Sequence, residues 1–224
     1  MRYLIFDAGA LISLTMNGLL PILEKLKKQY DGEFIITPAV KREIIDRPLK
    51  IKKYSLEGVK MRDLLNRGIL KLSSRIVPNS KLDQETKRLL RIANSAFRVE
   101  ESREKINLIQ EGEAACLAFA NLCKCNNAIV IDERTTRMLT EAPDSLRRLF
   151  EKKLSKQIRL DERSLKEFKN FRFIRSAEVL FIAFKKGLFD LKADKTLLDA
   201  LLYGVKFKGA AISSKEIEEM KKLI

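Results

Sequence analysis

Short, uninterrupted apolar runs recur along the chain, and segments of helical spacing follow most of them. Arg2–Phe6 reads as a buried strand, because apolar residues run continuously as in a parallel sheet covered on both faces. Glu33–Thr37 and Ala128–Ile131 have the same character. Phe171–Ile174 fits a fourth strand, and Ile69, Leu70 and Leu72 a shorter one. Helices are expected from Ala10, over Gly18–Tyr30 and over Ala39–Asp46. The last is introduced by Thr37 as N-cap and Pro38 at the first helical position, and Arg47-Pro48 ends it. Further helices are expected over 55–67 (stopped by Gly68), 82–108, 113–124, from Glu133, and over 176–187, 195–204 and 214–223. Asp31-Gly32 and Asn126-Asn127 read as turns.

Strand followed by helix, repeated, predicts an α/β fold: a three-layer α/β/α sandwich with a mainly parallel central sheet. No internal repeat and no Gly/Ser/Pro-rich linker interrupts the 224 residues, so one domain over 1–224 is expected. The segments at about 75–108 and 140–170 read as helical elaborations on the core.

Composition narrows the chemistry. Histidine is absent, which removes Ser-His-Asp and Cys-His catalysis and every histidine metal site. The three cysteines, Cys116, Cys123 and Cys125, are too few for a four-ligand structural zinc site and read as reduced thiols. No apolar run reaches the ~18 residues needed to span a bilayer. The N-terminus lacks the ~7–15 apolar residues of a secretory signal, so no membrane and a cytoplasmic location are expected.

The net charge of +15 is concentrated in two blocks. Residues 41–91 carry 15 basic and 6 acidic side chains, and residues 147–175 carry 11 and 4. Between them, residues 92–146 carry 6 and 9. A basic surface around an acidic spot suits a phosphodiester substrate, with cations for the polymer and carboxylates for metal ions. A solvated Lys- and Glu-rich surface accounts for the same numbers.

In open parallel sheets, ligands bind beyond the carboxyl ends of the strands. Asp7 directly follows the first strand, and Asp132 and Glu133 follow Ala128–Ile131. Glu43 lies on the helix after the second strand, and Glu113 begins a helix after Gly112. Each has a plain alternative role: a helix cap for Asp7, Asp132 and Glu133, a dipole charge for Glu113, an exposed helix carboxylate for Glu43. Gathered at one rim they would repel one another unless a cation intervened. Carboxylate and water oxygens suit Mg²⁺ or Mn²⁺.

These segments resemble the PIN-domain family of nucleases. Tyr3-Leu-Ile-Phe-Asp7-Ala-Gly-Ala-Leu-Ile12 is similar to the family's opening strand, first metal-binding Asp and following helix. Ile36-Thr-Pro-Ala-Val-Lys-Arg-Glu43-Ile, Gly112-Glu113-Ala-Ala-Cys-Leu-Ala-Phe-Ala120 and Ile129-Val-Ile-Asp132-Glu133-Arg-Thr-Thr-Arg137 resemble the segments supplying the second, third and fourth acids. The tail from Ile174 to Gly204 is similar to the closing portion of a prokaryotic subgroup, so the resemblance spans residues 3–204.

The resemblance implies a metal-dependent ribonuclease in which Asp7, Glu43, Glu113 and Asp132 hold one or two Mg²⁺ or Mn²⁺ ions. Glu133 replaces or assists Asp132 in that scheme. Water would attack the phosphodiester in line, leaving a 5′-phosphate and a 3′-hydroxyl. Arg134 and Arg137 would contact RNA phosphate, although Arg137 also has the spacing to pair with Glu133 or Glu141. A homodimer and a protein antitoxin are the protein partners the family implies. The chain departs from the pattern at Ala8, where many relatives carry Thr or Ser, and in its length, which exceeds that of the toxins by the two basic segments. A processing or decay ribonuclease, an antitoxin-held toxin and a catalytically silent RNA-binding or assembly module all follow from this reading. Among the aromatics, Phe168, Phe171 and Phe173 stand among basic residues and are the nearest candidates for base stacking, with core packing favoured for at least one.

Overall fold

The computed structural model describes residues 2–102, 105–123 and 125–224. The first half of the chain runs β1 (Arg2–Phe6), α1 (Ala8–Met16), α2 (Leu20–Gln29), β2 (Glu33–Ile36), α3 (Pro38–Lys41), α4 (Ser55–Asn66), β3 (Leu70–Leu72), α5 (Asn79–Ala96) and β4 (Phe97–Val99). The second half runs α6 (Glu111–Cys123), β5 (Asn126–Val130), α7 (Arg134–Glu141), α8 (Pro143–Leu154), β6 (Ile158–Leu160), α9 (Glu162–Leu165), β7 (Phe173–Ile174), α10 (Ser176–Lys185), α11 (Lys195–Phe207) and α12 (Ser214–Lys221).

Five strands form a parallel sheet in the order β3-β2-β1-β5-β7. Helices flank it as an α/β/α sandwich. α3 and α5 pack on α6, whereas α1, α2 and α11 pack on α10. The apolar runs become strands because both sheet faces are covered: Ile5, Phe6, Phe34, Ile35, Ile36, Ile129 and Val130 are all buried. No helix among the described residues is long and apolar enough to cross a membrane.

The chain leaves β1 toward β2 on one side and later fills the other side with β5. The β1–β5 junction is therefore the switch point where such sheets bind ligands. Phe6 pairs with Val130 there, and the next amide, Asp7 N–H, donates to the Val130 carbonyl at 3.0 Å. Asp7 and Asp132 thus emerge side by side.

Local structure departs from expectation in several places. α1 starts at Ala8 because Asp7 caps it, accepting from Gly9 N–H at 3.1 Å. Asn126 and Asn127 are the first residues of β5 and not a turn, aligned with Arg2 and Tyr3. The helix after Thr37-Pro38 widens into a π-turn over Arg42–Asp46, where Arg47 N–H reaches the Arg42 carbonyl at 2.9 Å. Glu43 lies in that turn.

The helix expected over 82–108 ends at Ala96, and residues 103 and 104 of that expectation lie outside the described residues. Lys124, the expected end of the 113–124 helix, also lies outside them. Phe97-Arg98-Val99 instead alternates buried, exposed, buried and pairs antiparallel with Ile158-Arg159-Leu160. The two elaborations, about 75–108 and 140–170, are therefore tied together by a small sheet, β4–β6, and are not purely helical. Long-range pairing overrides the helical periodicity that precedes it.

Candidate functional site

A cavity of about 330 Å³ opens at the β1–β5 junction, walled by Asp7, Glu43, Glu113, Asp132 and Glu133, with Gln110, Gly112, Lys208 and Gly209 beside them. All five acids singled out in the sequence share it. Among the described residues, none of the five forms an ion pair with a lysine or arginine. In a chain of net charge +15, the lack of a direct ion pair reflects placement, although Arg42 and Arg47 act on Glu43 and Arg137 on Asp132 through space.

Each carboxylate is placed by backbone. Asp7, 5% exposed, follows β1 and caps α1. Glu133 caps α7, accepting from Thr136 N–H at 2.7 Å. Glu113 reaches back from the first turn of α6 to accept from Gln110 N–H. Glu43 is half-buried, its carboxylate close to Gly112: a Cβ added to that glycine would stand 2.9 Å from Glu43 Oε1. The neighbouring acid Glu111 turns outward and pairs with Arg42 at 2.6 Å.

Asp132 is the most enclosed, at 2% exposure. Ser176 meets both of its oxygens: the Ser176 N–H donates to Oδ1 at 2.8 Å and the hydroxyl to Oδ2 at 2.7 Å. Asp132 thereby anchors the start of α10. Sequence reading missed Ser176. Its signal was weak, a lone serine opening a helix after the last core strand.

Burial raises four of these acids, and repulsion from the others adds to it at Asp7 and Glu113. Asp7 is pushed up to about 6, mainly by burial, with Glu43 and Asp132 adding and the Gly9 and Ala8 amides opposing. Glu113 rises to about 7, again mainly by burial, with Asp7, Glu133 and Glu43 adding. Burial raises Glu43 and Asp132 as well. Beneath the floor, the buried Cys116 thiol donates to the Phe6 carbonyl at 3.7 Å and is held protonated by burial and the same acids.

As the side chains stand, no three acidic or cysteine groups among the described residues are set to hold a metal ion. The oxygens of Asp7, Glu113, Asp132 and Glu133 accept from backbone or hydroxyl donors instead. The donor set still has the chemistry of a hard-cation site, all oxygen and strongly anionic once deprotonated.

The two arginines lie to one side. Arg134 and Arg137 line a neighbouring cavity of about 750 Å³ with Arg175 and Lys206. Arg134 is exposed, while Arg137 donates to the Ala211 carbonyl at 3.0 Å. The stacking candidates are mostly internal: Phe168 is fully buried, and Phe171 and Phe173 are partly buried against the core.

No family model, curated protein or solved structure matches the chain.

Proposed function

We propose that the chain is a PIN-type, Mg²⁺- or Mn²⁺-dependent endoribonuclease. The observation that carries this reading is the convergence of five carboxylates, without an ion pair among the described residues, on one cavity at the switch point of a parallel sheet. A fold has no structural need to collect buried acids at mutual cost, and perturbed acids in a cleft favour a functional site.

A divalent ion bound there would neutralise the acids, orient a phosphodiester and lower the pKa of water. Asp7, Glu43 and Glu113 are the residues assigned to hold it, with Glu133 at the rim. Asp132, fastened to Ser176, ties the end of β5 to the start of α10 and so supports the site. Asp7 and Glu113, both raised, hold protons more tightly than ordinary carboxylates do, so metal binding would displace protons. Lys208 in the cavity wall and Arg134 beside it supply positive charge for a phosphate backbone.

A second reading is an RNA-binding module without cleavage, which the two basic blocks support by themselves. One experiment separates them. Purified protein is incubated with 5′-labelled single-stranded RNA in Mn²⁺, Mg²⁺ or chelator, alongside Asp7→Asn. The nuclease reading expects metal-dependent cleavage that falls by about 100-fold or more in D7N while circular dichroism is unchanged. Absence of cleavage with either ion, together with salt-sensitive RNA binding indifferent to chelator, supports the silent module.

A further inference from the structure

Phe207 is the most exposed large apolar side chain among the described residues, at 76%. It ends α11, whose opposite face buries Leu198, Leu201, Leu202 and Val205. Phe207 and Tyr203 lie one turn apart on the outer face, their rings 5.9 Å between centroids and tilted by 31°. The ammonium of Lys206 sits 5.1 Å from the Tyr203 ring centre.

The position of this pair gives it meaning. Lys206 lines the cavity that holds Arg134, and Lys208 lines the carboxylate cavity. Phe207 lies between them in the chain, its Cα one peptide (~3.8 Å) from that of Lys208. Lys206 and Lys208 thus reach two different cavities, the first lined by four cations with Glu141 and Glu216, the second by the five acids. α11 is also locked to α1, where Asp7 is the cap: Ser13 Oγ donates to the Val205 carbonyl at 3.4 Å, and Gly204 closely approaches Asn17.

We propose that Phe207, backed by Tyr203, is a stacking platform for a base of single-stranded RNA lying outside the carboxylate cavity. Lys206 and Lys208 take the flanking phosphates. A polyanion suits this surface, because lysines flank Phe207 in the chain and the cavity beside Lys206 is lined by Arg134, Arg137 and Arg175 as well as by Glu141 and Glu216. The site rests on the ribonuclease reading for its direction, but its binding is measurable without cleavage.

The test uses the full chain in chelator and a fluorescent ten-residue oligouridine, read by anisotropy, beside a strand of equal length built of abasic ribose. Phe207→Ala is expected to weaken oligouridine binding by about 5- to 100-fold, and Phe207→Trp to restore it. The abasic strand is expected to bind wild type weakly and to be indifferent to F207A. Equal oligouridine affinity for wild type and F207A overturns the platform, as does a wild-type chain that binds neither strand. A homodimer that F207A disperses in sedimentation, with RNA affinity unchanged, also overturns it in favour of a protein contact. Cleavage in Mn²⁺ is followed separately. Phe207-dependent binding without cleavage upholds the platform and refutes the nuclease, and cleavage with unaltered F207A affinity does the reverse.

Discussion

A methyl group on Gly112 would stand 2.9 Å from Glu43 Oε1, so the first turn of α6 and the π-turn after α3 meet at a place where only hydrogen fits comfortably. The clash is with the end of a flexible side chain, and the fold can absorb it by moving Glu43. Gly112→Ala is therefore expected to keep or raise stability, by up to about 1 kcal/mol from helix propensity. Cleavage should fall by about 10- to 100-fold as the carboxylate is displaced. Thermal melting and initial rates on the same preparation check both halves.

Ser176 and Asp132 give the opposite balance. Removing the hydroxyl in Ser176→Ala leaves a buried Asp132 oxygen without its donor, while the backbone bond to Oδ1 remains. We expect a loss of about 1–3 kcal/mol, read from urea denaturation. Substitution by Thr, which keeps a hydroxyl, should recover part of it.

Asp7 and Glu113 make stability depend on pH. Their folded values, about 6 and about 7, lie above the ordinary 3.8 and 4.5, so the folded chain binds more protons than the unfolded one in between. Their contribution is complete below pH ~4 and is lost as pH rises through 6 to 7, on the order of 3 kcal/mol for each group. In chelator the chain should unfold more easily at pH 8 than at pH 5.5 on their account. Asp7→Asn should stabilise it at pH 8 and flatten the profile. A divalent ion that binds there should stabilise most at the higher pH.

Arg175 fastens the end of the chain near the site. Its guanidinium donates to Glu178, to Glu216 at 2.6 Å and to the Ala211 carbonyl at 3.2 Å, while Ala211 N–H donates to the Asp132 carbonyl at 3.1 Å. The arginine side chain is only 12% exposed. Arg175→Met should cost about 2–3 kcal/mol by urea denaturation, because two carboxylates lose a largely buried partner.

The central sheet was legible because its strands are covered on both faces and so read as unbroken apolar runs. The Thr37-Pro38 helix start was legible because capping is local, and the Thr37 hydroxyl accepts from Val40 N–H at 3.3 Å. The meeting of Asp7 with Asp132 followed from strand ends in a parallel sheet. What escaped was set by distant contacts. Phe97–Val99 becomes a strand only because Ile158–Leu160 lies beside it. Ser176 matters through Asp132, 44 residues earlier. Phe207 ends an otherwise ordinary amphipathic helix, and its exposure depends on where α11 stops against the body.

The most direct test of the carboxylate site is anomalous diffraction from a crystal soaked in Mn²⁺ at pH 8. A peak within about 2.0–2.6 Å of oxygens from Asp7, Glu43 and Glu113, lost in D7N, is the expected result. A crystal at saturating Mn²⁺ with no peak in that cavity would contradict the account.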